Sequence, residues 1–308
     1  MSGPYKMLAL DVDGTLISSS YTVSRRTRQA LRKAMDMGMI VTLATGRFFG
    51  SAKYLARSIP VNAPIVSNDG ALIKDVYSGR TLFFKPLPLE LAKDILKTAS
   101  RYLSFEVQVF LKDRKIFSGS DYHWVQIKRY FSFSKRYSLQ GAYNYLRDFV
   151  FLPVENAGSI EELGRLLKEP PAKIVVSGEP GEVEAFKGEL LENLGDRIYI
   201  TSAIKNCIDV LEGSVSKARG LEVLAQHLGI KREEIIAVGD NLNDIEMLQY
   251  AGLGVAMGNA PEMVKERADF VTAGNDEDGV AFLVESILST WKRDTIYTGV
   301  TNTLTKRT

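Results

Sequence analysis

The chain has 308 residues, 45% hydrophobic and 25% charged, the make-up of an ordinary globular protein long enough for one large domain or two of common size. Its 39 basic and 37 acidic side chains leave a net charge of +2, which argues against a dedicated nucleic-acid binder. Cys207 is the only cysteine, which excludes an intrachain disulfide and a thiolate metal cluster. No stretch approaches the ~20 apolar residues of a membrane span. The first residues show no positive segment followed by a long apolar run, so no signal peptide and a cytoplasmic location are expected.

Taken in chain order, short apolar runs alternate with helical patterns. Met7–Val12, Ile40–Thr45 and Ile65–Asn68 read as strands. Between the first two, Ser24–Met37 carries Thr27, Ala30, Leu31, Ala34 and Met35 at helical spacing, with Ser24 as N-cap and Gly38 as stop. Such a βαβ unit predicts a parallel sheet with helices on both faces. Residues 67–87 predict a hairpin turning at Ser78-Gly79. From Pro88 to about Val210 the rhythm changes. Helices are expected near 88–101, 159–168 and 181–193, and strands near 104–110, 172–177, 197–201 and 206–211. Ser216–Leu228 and Asn241–Tyr250 then read as helices, Glu234–Gly239, Gly254–Met257 and Asp269–Thr272 as strands, and Glu277–Trp291 as a last helix. The expected architecture is an α/β, Rossmann-like parallel core of 1–87 and 211–291. A smaller α/β domain, 88–210, is inserted into it, and a polar tail follows at 292–308.

The functional signal sits at strand ends. In "MLALDVDGTL" (7–16), Asp11 and Asp13 close an apolar run, and i and i+2 of a strand point to one side, roughly 6.5–7 Å apart. Two carboxylates that close repel unless a cation sits between them or one is protonated. Mg²⁺ takes oxygen ligands and commonly one or two protein carboxylates. In open α/β sheets, ligands bind beyond the carboxyl ends of the strands. "TLATGR" (42–47) ends another such strand, offering the Thr45 hydroxyl and the amides after it. Lys217 opens a helix, where a cation is unusual and adds to the pull on an anion. "VGDNLND" (238–244) places Asp240 at a strand end and Asn243 and Asp244 in the next turn. Each alone fits an ordinary polar turn, N-cap or solvated lysine. Together they describe one basin, with acids for a divalent cation and a hydroxyl, an amide and a lysine for a phosphate.

"DVDGTL", "ATGR", Lys217 and "GDNLND" resemble the four motifs of the haloacid dehalogenase-like phosphatases, in particular the Cof-type branch, supported by "SNDGALI", "GVAMGNAPEMVKERADFVT" and "EDGVAFLVE". The resemblance runs from residue 7 to about 290 and is weak across the inserted segment. It implies a Mg²⁺-dependent phosphoric monoester hydrolase. Asp11 is the implied nucleophile, forming an aspartyl-phosphate, and Asp13 the implied acid and base. By the same resemblance, Mg²⁺ would be held by Asp11, the Asp13 main-chain carbonyl and Asp240. Thr45, Gly46, Lys217 and Asn243 would hold the phosphate oxygens, and Asp244 would stand behind the metal or orient Lys217. The chain departs from the family at Asp69, where Asn is usual before Gly-Ala, which adds a negative charge near the mouth of the site.

The inserted segment is then a cap that selects the leaving group. Its stretch 101–140 has eight Lys/Arg against three Asp/Glu, interleaved with Tyr102, Phe105, Phe110, Phe117, Tyr122, Trp124, Tyr130, Phe131 and Phe133. This is either a surface for an anionic or ring-bearing ester or a solvated basic face over an aromatic core. His123, Trp124, Arg47 and Asp69 are the specificity candidates. The expected partner is a small phosphomonoester, with no nucleic acid and no membrane. Sugar phosphates, flavin mononucleotide, pyridoxal phosphate and a ribitylamino-pyrimidine phosphate all remain open, as does oligomeric state. A phosphomutase shares the core motifs. A non-catalytic phosphometabolite sensor would be expected to lose Asp11 or Asp13. A dinucleotide-binding oxidoreductase lacks its G-x-G-x-x-G after the first strand.

Overall fold

The computed structural model describes residues 4–119, 121–133, 138–202 and 206–290. The strand Met7–Leu10 is buried throughout, and its period of two sends Leu8 and Leu10 into one core and Met7 and Ala9 into another. It is the fourth of five parallel strands, ordered Phe270–Val271, Leu253–Ala256, Ile235–Gly239, Met7–Leu10 and Ile40–Leu43. Helices cover both faces, as a parallel sheet demands. Arg25–Asp36 and Phe49–Ser58 pack on the Leu8 side, and Lys217–Leu228 on the Met7 side. Ser24 caps the first of these by accepting from the Thr27 amide. Ile65–Ser67 joins the edge through a bridge between Ala44 and Val66 and opens the hairpin of Leu72–Lys74 and Thr81–Phe84.

A second α/β unit is inserted between this hairpin and Lys217–Leu228. Its six strands run in the order Ile198–Thr201, Cys207–Glu212, Lys173–Ser177, Glu106–Phe110, Lys115–Phe117 and Val154–Asn156, with only the last pair parallel. Alternation again divides the residues. Val107, Val109, Ile116, Ile174, Val176, Ile208 and Val210 pack under helices Leu89–Ala99, Ile160–Leu166 and Pro180–Leu194. Their strand neighbours, including Gln108, Lys115, Lys173 and Asp209, turn to the other face, over the carboxyl end of the parallel sheet.

Each expected strand and helix of the inserted segment corresponds to an element, with ends that agree to within two residues. The expected helix Asn241–Tyr250 is instead a 3₁₀ turn, Leu242–Asp244, leading into Ile245–Tyr250, because Asp244 bends back to accept from the Asp240 and Asn241 amides. The last helix begins at 279 rather than 277, after Asp278 takes left-handed backbone (φ 59°). The helices Phe49–Ser58, Tyr122–Phe133 and Leu139–Tyr145, the π-helical turn Leu146–Val150, and the strands Lys115–Phe117 and Val154–Asn156 were not expected. The tail 292–308 lies outside the described residues.

One glycine joins the hairpin to the rest. Gly70 has φ +104°, and a Cβ there would lie 2.0 Å from the carbonyl oxygen of Ser216, the residue that caps the Lys217 helix. Gly70→Ala is therefore expected to cost about 1–3 kcal/mol or more, read by urea denaturation. Unchanged stability would show that the loop relaxes freely.

Candidate active site

Asp11 lies just past the strand Met7–Leu10 and is 5% exposed. Its Oδ1 accepts from Lys217 Nζ at 2.7 Å, and the same ammonium donates to Asp244 Oδ1 at 2.6 Å. Lys217 can reach both because Ser216 caps its helix and points the first turn at the sheet's carboxyl edge. Ligand oxygens of Asp11, Asp240 and Asp244 lie within 4.8 Å of one another. Burial raises the Asp11 carboxyl well above the usual range against the pull of Lys217, and Asp244 and Asp240 raise it further. Burial, then Asp244, pushes Asp240 up to about 7, although the Thr15 hydroxyl donates to it at 2.8 Å. Gly14 (φ +85°) makes this approach possible, since a Cβ there would sit 2.2 Å from Asp240 Oδ2. An all-oxygen set of carboxylates that raise one another fits a hard divalent cation, which would relieve their repulsion.

Asp13 turns away from this cluster. Arg47 clamps it bidentately, Nε to Oδ2 at 2.7 Å and Nη2 to Oδ1 at 2.6 Å. The third guanidinium nitrogen, Nη1, donates to Asp148 Oδ2 at 3.2 Å, and the Phe149 ring lies 4.7 Å from the guanidinium carbon. Arg47 is thus committed to two carboxylates of this chain. Thr45 and Gly46 line the cavity beside it, with Thr45 Oγ1 accepting from the Arg47 amide.

Asp69 is not at the mouth of the site, where its charge was expected. It is 1% exposed. Asn68 and Asp69 both adopt left-handed backbone, which folds the carboxylate inward. There it accepts from Lys173 Nζ at 2.8 Å and from Asn243 Nδ2 at 3.0 Å. Burial alone would raise its carboxyl, but Lys173 and Lys217 hold it below the usual range. Asn243 lines the cavity, with its amide oxygen buried and without a hydrogen bond among the described residues. Lys173 also donates to Asp209 at 2.7 Å, so one ammonium ties the inserted sheet to the core loop that carries Asp69.

These residues enclose a cavity of about 320 Å³ whose lining also includes Lys217. His123 and Trp124 do not line it. Both are exposed, and His123 Nδ1 contacts the Val150 carbonyl oxygen at 2.6 Å. The face of Tyr122–Phe133 that does line it holds Tyr122, Gln126 and Arg129, at helical spacing. The basic, aromatic stretch thus divides. Phe110, Lys115, Tyr122 and Arg129 reach the cavity, while Phe105 packs in the inserted core. Lys115, Lys173 and Asp209 were missed as site residues. Each is a charge at an alternating position of an otherwise apolar strand ("KIF", "KIVVS", "CIDVL"), which was the available signal.

A family model for haloacid dehalogenase-like hydrolases matches residues 8–284. The chain is 30% identical over 293 residues to a Bacillus subtilis 5-amino-6-(5-phospho-D-ribitylamino)uracil phosphatase, YitU, covering 93% of this chain and 98% of that protein. It is 32% identical to the phosphatase YwpJ of the same organism, covering 92% of this chain and all of the relative. Among solved structures, a haloacid dehalogenase-like hydrolase from B. subtilis superposes with a TM-score of 0.78 at 30% identity, over 91% of this chain and 99% of that one. The chain belongs to the haloacid dehalogenase-like hydrolases, in the Cof-type branch. Within that family it is a phosphoric monoester hydrolase with a parallel α/β core and an inserted α/β cap.

Burial, with Lys173, Arg129 and Arg47 nearby, pushes the Lys115 ammonium from 10.5 down to about 7. Between these values the unfolded chain keeps a proton that the folded chain has lost, so this residue makes stability rise with pH. Below about 7 both states are protonated and the folded chain bears the full cost of the buried charge. Lys115→Met is expected to be more stable, relative to the parent, at pH 6 than at pH 10 in denaturant titrations. An equal difference at both would refute the shift.

Proposed function

We propose that the protein is a Mg²⁺-dependent phosphatase of a small-molecule phosphomonoester, working through an aspartyl-phosphate on Asp11. Supporting this most directly, Asp11 faces the cavity from the end of a central strand, within the acidic cluster and bonded to Lys217. Residues 1–87 and 211–291 form the catalytic core in this reading, 88–210 the cap and 292–308 a tail. Relatives named as a 5-amino-6-(5-phospho-D-ribitylamino)uracil phosphatase and an HMP-PP phosphatase support a phosphorylated metabolite as substrate.

An Asp11 carboxylate oxygen attacks phosphorus as the ester oxygen leaves. Asp13 gives that oxygen a proton, then takes one from the water that hydrolyses the acyl phosphate. For the first step Asp13 must carry a proton and release one of its two bonds to Arg47, which then holds it as the carboxylate that takes a proton from water. Thr45, the Gly46 amide, Lys217 and Asn243 bind the non-bridging oxygens, so Asn243 must turn part of its amide from Asp69 to the phosphate. Asp11, the Asp13 main-chain carbonyl and Asp240 would hold Mg²⁺, with Asp244 behind them. When bound, the ion neutralises charge that would oppose attack by a carboxylate on a phosphate.

Phosphate release from a panel of metabolite phosphomonoesters is expected with Mg²⁺ and not with EDTA. Asp11→Asn is expected to abolish it while keeping the parent's circular dichroism and melting behaviour. Parent-like release by that variant would sink the nucleophile assignment, and phosphoryl transfer without inorganic phosphate would indicate a mutase.

A further inference from the structure

We infer that Lys115 and Arg129 form a second anion subsite in the cavity, so that the leaving group of the ester itself carries a phosphate or a carboxylate. The inference rests on the phosphatase reading for which part of the substrate lies there. It starts from a charge imbalance. Five basic side chains line the cavity: Arg47, Lys115, Arg129, Lys173 and Lys217. Three are each held by two carboxylates, Arg47 by Asp13 and Asp148, Lys173 by Asp69 and Asp209, and Lys217 by Asp11 and Asp244. Lys115 and Arg129 form no ion pair among the described residues.

Lys115 is 3% exposed. Among the described residues the only hydrogen bond of its ammonium goes to the Tyr122 hydroxyl, at 3.1 Å, although an ammonium has three donors. It lies over the rings of Phe110 at 4.6 Å, Tyr122 at 5.2 Å and Phe48 at 5.4 Å. Those rings hold the cation in place and keep water away, but none neutralises it. The depression of its pKa by burial and by neighbouring cations is what an incoming anion would relieve. Ser51 Oγ, buried without a hydrogen bond among the described residues, lines the same cavity and adds a donor. Lys115 is on the inserted sheet and Arg129 on Tyr122–Phe133, whereas Asp11 and Lys217 belong to the parallel core. The subsite therefore meets the far end of a substrate whose phosphate sits at Asp11.

The test compares glucose 6-phosphate, whose leaving group is neutral, with 6-phosphogluconate and glucose 1,6-bisphosphate. Phosphate release gives kcat/KM for each with Mg²⁺. Calorimetry gives Kd for each with the Asp11→Asn protein. The parent is expected to favour an anionic ester over glucose 6-phosphate by about 10–100-fold, the worth of one or two charge-assisted hydrogen bonds. The preferred ester tells a carboxylate from a phosphate. Lys115→Met and Arg129→Met are expected to bring the ratio to within about threefold of one, and Arg129→Lys to keep most of it. No preference in the parent, or a ratio unchanged in both Met variants, would overturn the subsite and leave Lys115 as a caged structural cation. If the parent hydrolyses none of the three esters, the ratio of Kd values alone judges the subsite, and the wider panel of phosphomonoesters judges the phosphatase reading.

Discussion

Lys217 lies almost wholly out of water between Asp11 and Asp244, and most of the site follows from how that charge is held. A buried ion costs several kcal/mol to desolvate, and only close opposite charge with good hydrogen bonds offsets this. The chain supplies them from three separate places: the end of Met7–Leu10, the first turn of Lys217–Leu228, and the turn Leu242–Asp244. Each must be where it is for the ammonium to be tolerated. Asp244 contributes twice, with one oxygen on Lys217 and the other accepting from the Asp240 and Asn241 amides. The charge pair is thereby locked to the backbone that presents the acidic cluster.

Two further buried cations repeat the arrangement at larger scale. Arg47 joins the core residue Asp13 to Asp148, which lies in the inserted segment, and Lys173 joins the core residue Asp69 to Asp209 in the inserted sheet. Removing the cation of such a set leaves buried carboxylate charge uncompensated in low dielectric, which is far more costly than losing a surface pair. The position of the inserted sheet over the core is thus set partly by charge. Motion of one unit against the other would have to break or rehydrate these contacts, which ties any opening of the cavity to the same residues that shape it.

The inserted sheet can serve both purposes because a strand has two faces. Val107, Val109, Ile174, Val176, Ile208 and Val210 fill a core under three helices, while the residues between them face the cavity. The same period of two that divides Met7–Leu10 between two apolar cores here separates a core from a site. The core's alternation is hidden, since both faces of a parallel sheet are apolar. In the inserted sheet it is visible once the pairing is known.

The sequence by itself determined the family, the parallel core and the polar residues that gather at its carboxyl edge. These depend on local order: an apolar run ending in Asp11-Val12-Asp13, a capped helix start at Ser216-Lys217, a strand ending before Asp240. It also carried the main elements of the inserted segment, to within a few residues. What it left open lies across the chain. Asp69 was expected near the mouth of the site because its left-handed turn, and Lys173 more than a hundred positions away, are invisible in a linear reading. His123 and Trp124 looked as suitable as Tyr122, Gln126 and Arg129 because composition does not say which side of a helix meets a cavity. Only the tertiary structure decided which cations are already neutralised by this chain and which are not. Ion pairing is a property of distance and burial, and in this protein the decisive pairs join residues that sequence order separates.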